Sequence, residues 1–275
     1  MTDIYATITQ AGLAVFAGAA LLYGLLWLRP GALLRRVPVL LMAAGLALCA
    51  AFLVIRWQEA GRPPFKSLYE SLVLLAACVS LLYVVVELVY GIRALGALAA
   101  AGCAAIMAYA WHAMDREIVN LPAALQSVWF IPHVVVYFFG YAAMFVAFIA
   151  AVLYLAHPAP FAHKRPDLVG AETVDMEAFA NGTMRLGFVL LTAGLLMGAF
   201  WAKSAWGDYW VWDPKETWSL VSWMVFVIVL HLRHVREWRG RRFAVLLIVG
   251  FAAVMFTYLG MSLLPSADQS LHVYQ

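Results

Sequence analysis

Six of the eleven tryptophans, Trp201, Trp206, Trp210, Trp212, Trp218 and Trp223, fall between positions 201 and 223, in the stretch W-A-K-S-A-W-G-D-Y-W-V-W-D-P-K-E-T-W. An indole offers a broad apolar face and a single N–H donor, so it suits both the belt at a membrane interface and the surface under a planar apolar ligand. Spacing alone leaves both readings open. Part of the stretch has a structural account: Asp213-Pro214-Lys215-Glu216 places a carboxylate at a helix N-cap, a proline at the first helical position and a glutamate at the third. Asp213 is therefore expected to start a helix. What remains, Trp206-Gly207-Asp208-Tyr209-Trp210-Val211-Trp212, sets four aromatic rings around one flexible glycine and forms a flat apolar surface. Trp206, Gly207, Tyr209, Trp210, Trp212, Asp213 and Trp218 are the candidate binding residues.

The seven histidines are the second feature that could do chemistry. His133 follows Ile131-Pro132 at the start of an apolar run, and His272 follows the last apolar run of the chain. A lone histidine at an interface is an ordinary polar residue. Two neutral imidazoles flanking an aromatic platform are, however, what axial ligation of a haem iron requires.

The elements that must position these residues are membrane helices. The hydrophobic set makes up 65% of the 275 residues, charged residues only 12%, and the mean hydropathy is +0.87. Soluble enzyme folds, nucleic-acid readers and secreted disulfide scaffolds are excluded by these values, and the net charge of +3 implies no polyanionic partner. Cys49, Cys78 and Cys103 lie in apolar runs without a C-x-x-C pair and are expected to be small core residues. The N-terminus lacks the basic start of a cleavable signal and is expected to run directly into the first span.

Apolar runs bounded by charge, glycine and proline predict an all-α polytopic protein with about eight spans: Tyr5–Leu28, Val37–Ile55, Leu68–Tyr90, Ala94–His112, Val128–Leu155, Thr183–Ala202, Trp218–Arg233 and Phe243–Leu264. No internal repeat is visible, and residues 1–275 read as a single integral membrane domain with a tryptophan-rich outer loop over 203–217. The connection Ala156–Arg185 reads as a solvated loop with one short surface helix. Odd-numbered connections hold twelve Lys and Arg residues against six on the even side. The positive-inside rule then places the odd loops in the cytoplasm and both termini on the outer face. His112, His133 and His272 fall at or near that face, while His157, His163, His231 and His234 lie inward.

The segment Trp206-Gly-Asp-Tyr-Trp-Val-Trp-Asp-Pro-Lys-Glu-Thr-Trp218, followed by Leu230-His231-Leu-Arg233, resembles the tryptophan-rich (WWD) signature of haem-handling cytochrome c assembly proteins. Pro63-Pro-Phe-Lys-Ser-Leu-Tyr-Glu-Ser71, Leu125-Gln-Ser with His133 and Gly140-Tyr141, and Leu271-His272-Val-Tyr274 resemble the CcsA (ResC) branch of system II. The likeness runs from about Arg56 to the C-terminus. It implies a protein of the bacterial inner membrane, or of the thylakoid membrane if plastid-encoded. Working with a CcsB (ResB) type partner, it would bind haem b at the outer face and attach it to the C-x-x-C-H motif of an apocytochrome c.

Carried over by resemblance, His133 and His272 match the axial ligands, Trp206 through Trp218 the platform, and His231 a histidine that holds haem inside the membrane. Two departures stand out. No second histidine lies well inside a span to complete the site at His231, which leaves the opposite axial position open to a ligand such as one from the partner. The C-terminal motif reads His272-Val273-Tyr274, where the family usually has serine in the middle.

Thiol addition to the haem vinyl groups needs no protein nucleophile, so binding, orientation and control of the iron are the expected contributions of the chain. Lys215 reads equally as a cation for a haem propionate and as a solvated first-turn residue. Arg56 and Glu70 read either as a pair or as propionate contacts. Three other classes remain: a CcmC-like exporter handing haem to a separate carrier, a b-haem electron-transfer subunit with facing histidines, and a structural membrane protein with an aromatic belt.

Overall fold

The computed structural model describes residues 2–28, 36–113, 117, 118, 122, 125–157, 161–163 and 172–260. Eight helices dominate them: α1 (Thr2–Leu28), α2 (Val37–Ala60), α3 (Leu68–Tyr90), α4 (Gly96–His112), α5 (Phe130–Ala156), α6 (Met176–Trp206), α7 (Pro214–Val235) and α8 (Arg241–Tyr258). Each is long and apolar enough to cross a membrane, as the sequence predicts. The chain is an all-α multi-pass membrane protein. It divides into two compact units, one containing α1–α4 and the other α5–α8.

Several boundaries differ from the sequence expectation. The connection expected to be a solvated loop over 156–185 carries two short antiparallel strands, β1 (Phe161–His163) and β2 (Glu172–Val174), and then the first turns of α6. Helix α6 itself starts seven residues before Thr183 because Asp175 caps it, accepting from the Glu177 and Ala178 backbone N–H groups. It continues past Ala202 to Gly207, whose positive φ of 91° ends it. Its 31 residues reach about 46 Å at 1.5 Å per residue, longer than a hydrocarbon core. Polar residues at its two ends therefore remain helical outside the apolar stretch, which a hydropathy reading cuts away. Helix α7 starts at Pro214, directly after the Asp213 cap. Since α6 ends at Trp206, the tryptophan-rich connection is narrower than 203–217 and comprises residues 207–213. The end of the last span beyond residue 260 lies outside the described residues.

In the first unit α1 packs on α2 and α4, and α3 packs on the same two helices. The aromatic side chains of Phe16, Tyr23, Phe52, Tyr69 and Tyr83 are fully enclosed, and the three cysteines are buried and unpaired. A side chain at Gly45 would enter the Phe16 ring, so the close approach of α1 and α2 depends on glycine there.

Helix α3 holds one buried carboxylate near each end. Glu70 completes a capping box with Ser67 and pairs with Arg56 Nε at 3.1 Å and Arg62 Nη1 at 3.2 Å. Arg56 also donates to the Glu117 carbonyl at 2.8 Å. Arg56 and Glu70 thus form the pair that is one of their two expected roles. At the other end, Glu87 accepts from the Tyr23 hydroxyl, from the Tyr83 hydroxyl at 2.7 Å and from Arg93 Nε at 3.2 Å.

In the second unit α5 lies along α6 and α8, and α7 packs mainly on α8. Ser222 and Thr257 share a hydrogen bond of 2.7 Å between α7 and α8, and Trp223 Nε1 donates to Thr192 of α6 at 2.8 Å.

Removal of a buried carboxylate leaves its guanidinium partners uncompensated, at a cost on the order of 3–5 kcal/mol. Glu70→Ala is therefore expected to lower the thermal unfolding midpoint of the detergent-solubilised protein. The Arg56→Leu/Arg62→Leu/Glu70→Leu variant should recover most of the loss. A triple variant as unstable as Glu70→Ala would show that the charges themselves, not their pairing, are required.

Candidate functional site

Helix α6 presents Gly194, Gly198 and Trp201 on one face, at the i, i+4, i+7 spacing that lets a neighbouring helix approach closely. His133, in the first turn of α5, occupies that face. Its Nδ1 lies 2.8 Å from the Gly194 carbonyl oxygen, and its ring stacks on Trp201 at 5.6 Å and 29°. Tyr137, one turn along α5, meets the ring edge-on at 5.0 Å. A carbonyl only accepts, so Nδ1 carries the proton of the neutral imidazole and the ring lone pair is on Nε2. That tautomer, held by a backbone carbonyl, is the one used by metal-ligating histidines. Gly198 is part of the arrangement, because a Cβ there would stand 2.8 Å from the His133 ring.

Aromatic contacts extend from Trp201 toward the tryptophan-rich connection. Trp206 lies 4.9 Å from Trp201, Trp129 stacks on Phe200 at 5.1 Å, and Phe200 meets Tyr209 edge-on at 5.9 Å. Lys203 stands over the Tyr209 ring at 5.5 Å and donates to the Gly207 carbonyl. Within the connection Trp210 and Trp212 make an edge-to-face pair at 5.9 Å. Trp212 has φ of 58°, in the left-handed region that a bulky residue rarely adopts, and its side chain is 69% exposed.

Glu216 organises this backbone. One carboxylate oxygen, Oε2, accepts from Val211 N at 2.9 Å and Asp213 N at 3.2 Å, while the Asp213 side chain accepts from Lys215 N at 2.8 Å. Asp213 is the N-cap expected from sequence, and Glu216 adds a tie back to Val211. Two buried polar atoms in the same segment, Trp210 Nε1 and Glu216 Oε1, have no hydrogen-bond partner among the described residues.

The sequence-predicted residues separate into groups. His133 and Trp206 share an aromatic cluster through Trp201, while Tyr209 belongs to a second cluster with Phe200 and Trp129. Trp210, Trp212 and Asp213 belong to the connection that Glu216 holds. Trp218 packs instead on Phe256 of α8 at 4.5 Å. His231 stands apart on α7, seventeen residues and about 26 Å of helix beyond Pro214, with an exposed side chain. His272 lies outside the described residues. Gly194, Gly198, Tyr137 and Trp201 are the additions around His133. Gly194-Leu-Leu-Met-Gly198 is a G-x-x-x-G pattern, the signal that could have identified the face in advance.

A family model described as cytochrome C assembly protein matches residues 65–267. The CcsA cytochrome c biogenesis protein of Chlamydomonas reinhardtii is 36% identical over 246 residues, covering 86% of this chain and 68% of that protein. Its counterpart in Synechococcus elongatus is 34% identical over 284 residues, covering 84% of this chain and 86% of that protein. Among solved structures, the cytochrome c heme lyase CcmF superposes with a TM-score of 0.69 at 17% identity, a likeness of fold. The superposition takes in 94% of this chain and 46% of CcmF, so the chain spans less than half of that structure. With a family model over most of its length and these relatives, the chain belongs to the cytochrome c assembly proteins, in the CcsA family of c-type cytochrome biogenesis.

Proposed function

We propose that the chain binds haem b at the outer membrane face between His133, His272 and the tryptophan-rich connection. There, with a CcsB (ResB) type partner, it presents the haem to the C-x-x-C-H motif of an apocytochrome c. The observation that carries this reading is the His133 imidazole, whose Nδ1 hydrogen bond to Gly194 leaves the lone pair on Nε2. Trp201 backs the ring, Trp206 packs on Trp201, and the exposed Trp212 indole of the connection offers a planar porphyrin a face to lie on. The unpartnered Trp210 N–H adds a donor in the same segment.

Haem is here the cargo and substrate. Each thioether forms when a cysteine thiol adds across a vinyl group: a carbon–sulfur bond forms at one vinyl carbon, the thiol hydrogen goes to the other, and no external oxidant is consumed. The chain's part is to hold the iron, fix the plane and keep the vinyl edges accessible. The histidine of the substrate motif then displaces one axial ligand and releases the product. His231, exposed on α7, supports a second, intramembrane haem position whose opposite ligand comes from the partner. Eight membrane-crossing helices and CcsA relatives weigh against an exporter of the CcmC type.

His133→Ala is expected to abolish c-type cytochrome, read by haem staining, while the protein still inserts and accumulates. Normal cytochrome in this variant would remove the ligand role. Gly198→Ala, which drives a methyl group into the His133 ring, should lower haem occupancy and cytochrome yield by about 10- to 100-fold, the usual effect of disturbing a ligand's supporting partner. Added imidazole should restore its bis-histidine absorption spectrum. Gly187→Ala, facing the flexible Met144 at 3.1 Å, should change neither readout.

A further inference from the structure

At the other end of the second unit, away from the tryptophan-rich connection, α6 and α7 part to leave a cleft of about 710 Å³, within the range of small-molecule sites. Apart from Asn181, its walls are of two kinds. Phe188 and Val189 of α6 and Leu230 of α7 are apolar, and Phe188 is braced by stacking on Trp223 at 5.6 Å. Arg185, His234 and Arg239 bring cationic or protonatable groups from α6, α7 and the α7–α8 connection.

A fourth cationic or protonatable lining residue, Arg233, already has its charge balanced. Its Nη1 bonds Glu177 at 2.6 Å, and its guanidinium lies over the Phe243 ring at 4.2 Å. Arg185 and Arg239 have no acidic partner among the described residues. The positive-inside rule accounts for arginines at this end of the helices but not for their convergence from three segments on one recess with an apolar wall. Guanidinium groups suit bidentate binding of carboxylate or phosphate oxygens.

We infer that this cleft is a binding site for an anionic amphiphile, whose carboxylate or phosphate oxygens are held by Arg185, Arg239 and His234 while its apolar body lies on Phe188, Val189 and Leu230. Two ligands share that chemistry, a haem with its two propionates and an anionic phospholipid. The haem arm rests on the function proposed above, because His231 stands one turn back from His234; the lipid arm does not.

The test uses the full chain carrying His133→Ala, which removes the outer ligand, in phosphatidylcholine nanodiscs. Hemin and hemin dimethyl ester, which lacks the carboxylates, are titrated by tryptophan fluorescence quenching, and retention of phosphatidylglycerol is read by native mass spectrometry. Arg185→Gln/Arg239→Gln should weaken hemin at least tenfold and leave the ester unchanged, so that ester binding also reports an intact cleft. Arg236→Gln/Arg241→Gln, with the same charge change outside the cleft, should alter neither. Hemin binding unaffected by Arg185→Gln/Arg239→Gln, together with loss of phosphatidylglycerol, assigns the site to a phospholipid and upholds it. Retention of both ligands by the double variant, or of neither by the parent chain, overturns it. Cytochrome formation in His133→Ala tests the outer-face reading separately, so the two proposals fail independently.

Discussion

The second unit is organised around how closely α5 and α6 can approach. In a membrane, lipid is as apolar as leucine, so helices associate by fitting backbones together and by the polar contacts that closeness permits. Gly194 and Gly198 remove the side chains that would otherwise fill the space where Tyr137 and His133 lie. Only then does the His133 ring reach a backbone carbonyl on the neighbouring helix. A histidine beside a membrane interface would ordinarily be hydrated and free to rotate. Here one nitrogen is committed to a fixed partner and the ring is clamped between Tyr137 and Trp201.

The tryptophan-rich connection follows a related principle with a different device. A short link between two long helices would be expected to wander, yet Glu216 gathers the Val211 and Asp213 N–H groups, and Asp213 caps α7 in return. The backbone is thereby fixed firmly enough to hold Trp212 at positive φ with its indole outward. Strain of this kind persists where surrounding contacts over-determine it, and such places are frequently functional.

Much of this was legible from composition and spacing. The number of spans follows from hydropathy, and the start of α7 follows from Asp-Pro-Lys-Glu, because caps are local chemistry. The ends of α6 were not, since Asp175 and Gly207 terminate the helix by hydrogen bonding and backbone conformation rather than by loss of apolar character. His133 and the tryptophans were visible as residue types. Their support was not, because a glycine on one helix matters only once the facing helix is known. Arg56 and Glu70 posed the same difficulty: charges fourteen residues apart become a buried pair only when the helices that carry them pack.

The two buried carboxylates of α3 also bear on how the first unit is assembled. Arg56 and Arg62, which neutralise Glu70, precede it in the chain, as does Tyr23, which donates to Glu87. Tyr83 lies one turn before Glu87 and Arg93 six residues after it. As the chain emerges from the ribosome, nearly every group that makes these acids tolerable has been synthesised before, or almost together with, the acid it serves. Helix α3 can thus enter the bilayer against α1 and α2 with its charges matched on arrival, and its depth is set at both ends before α4 is complete.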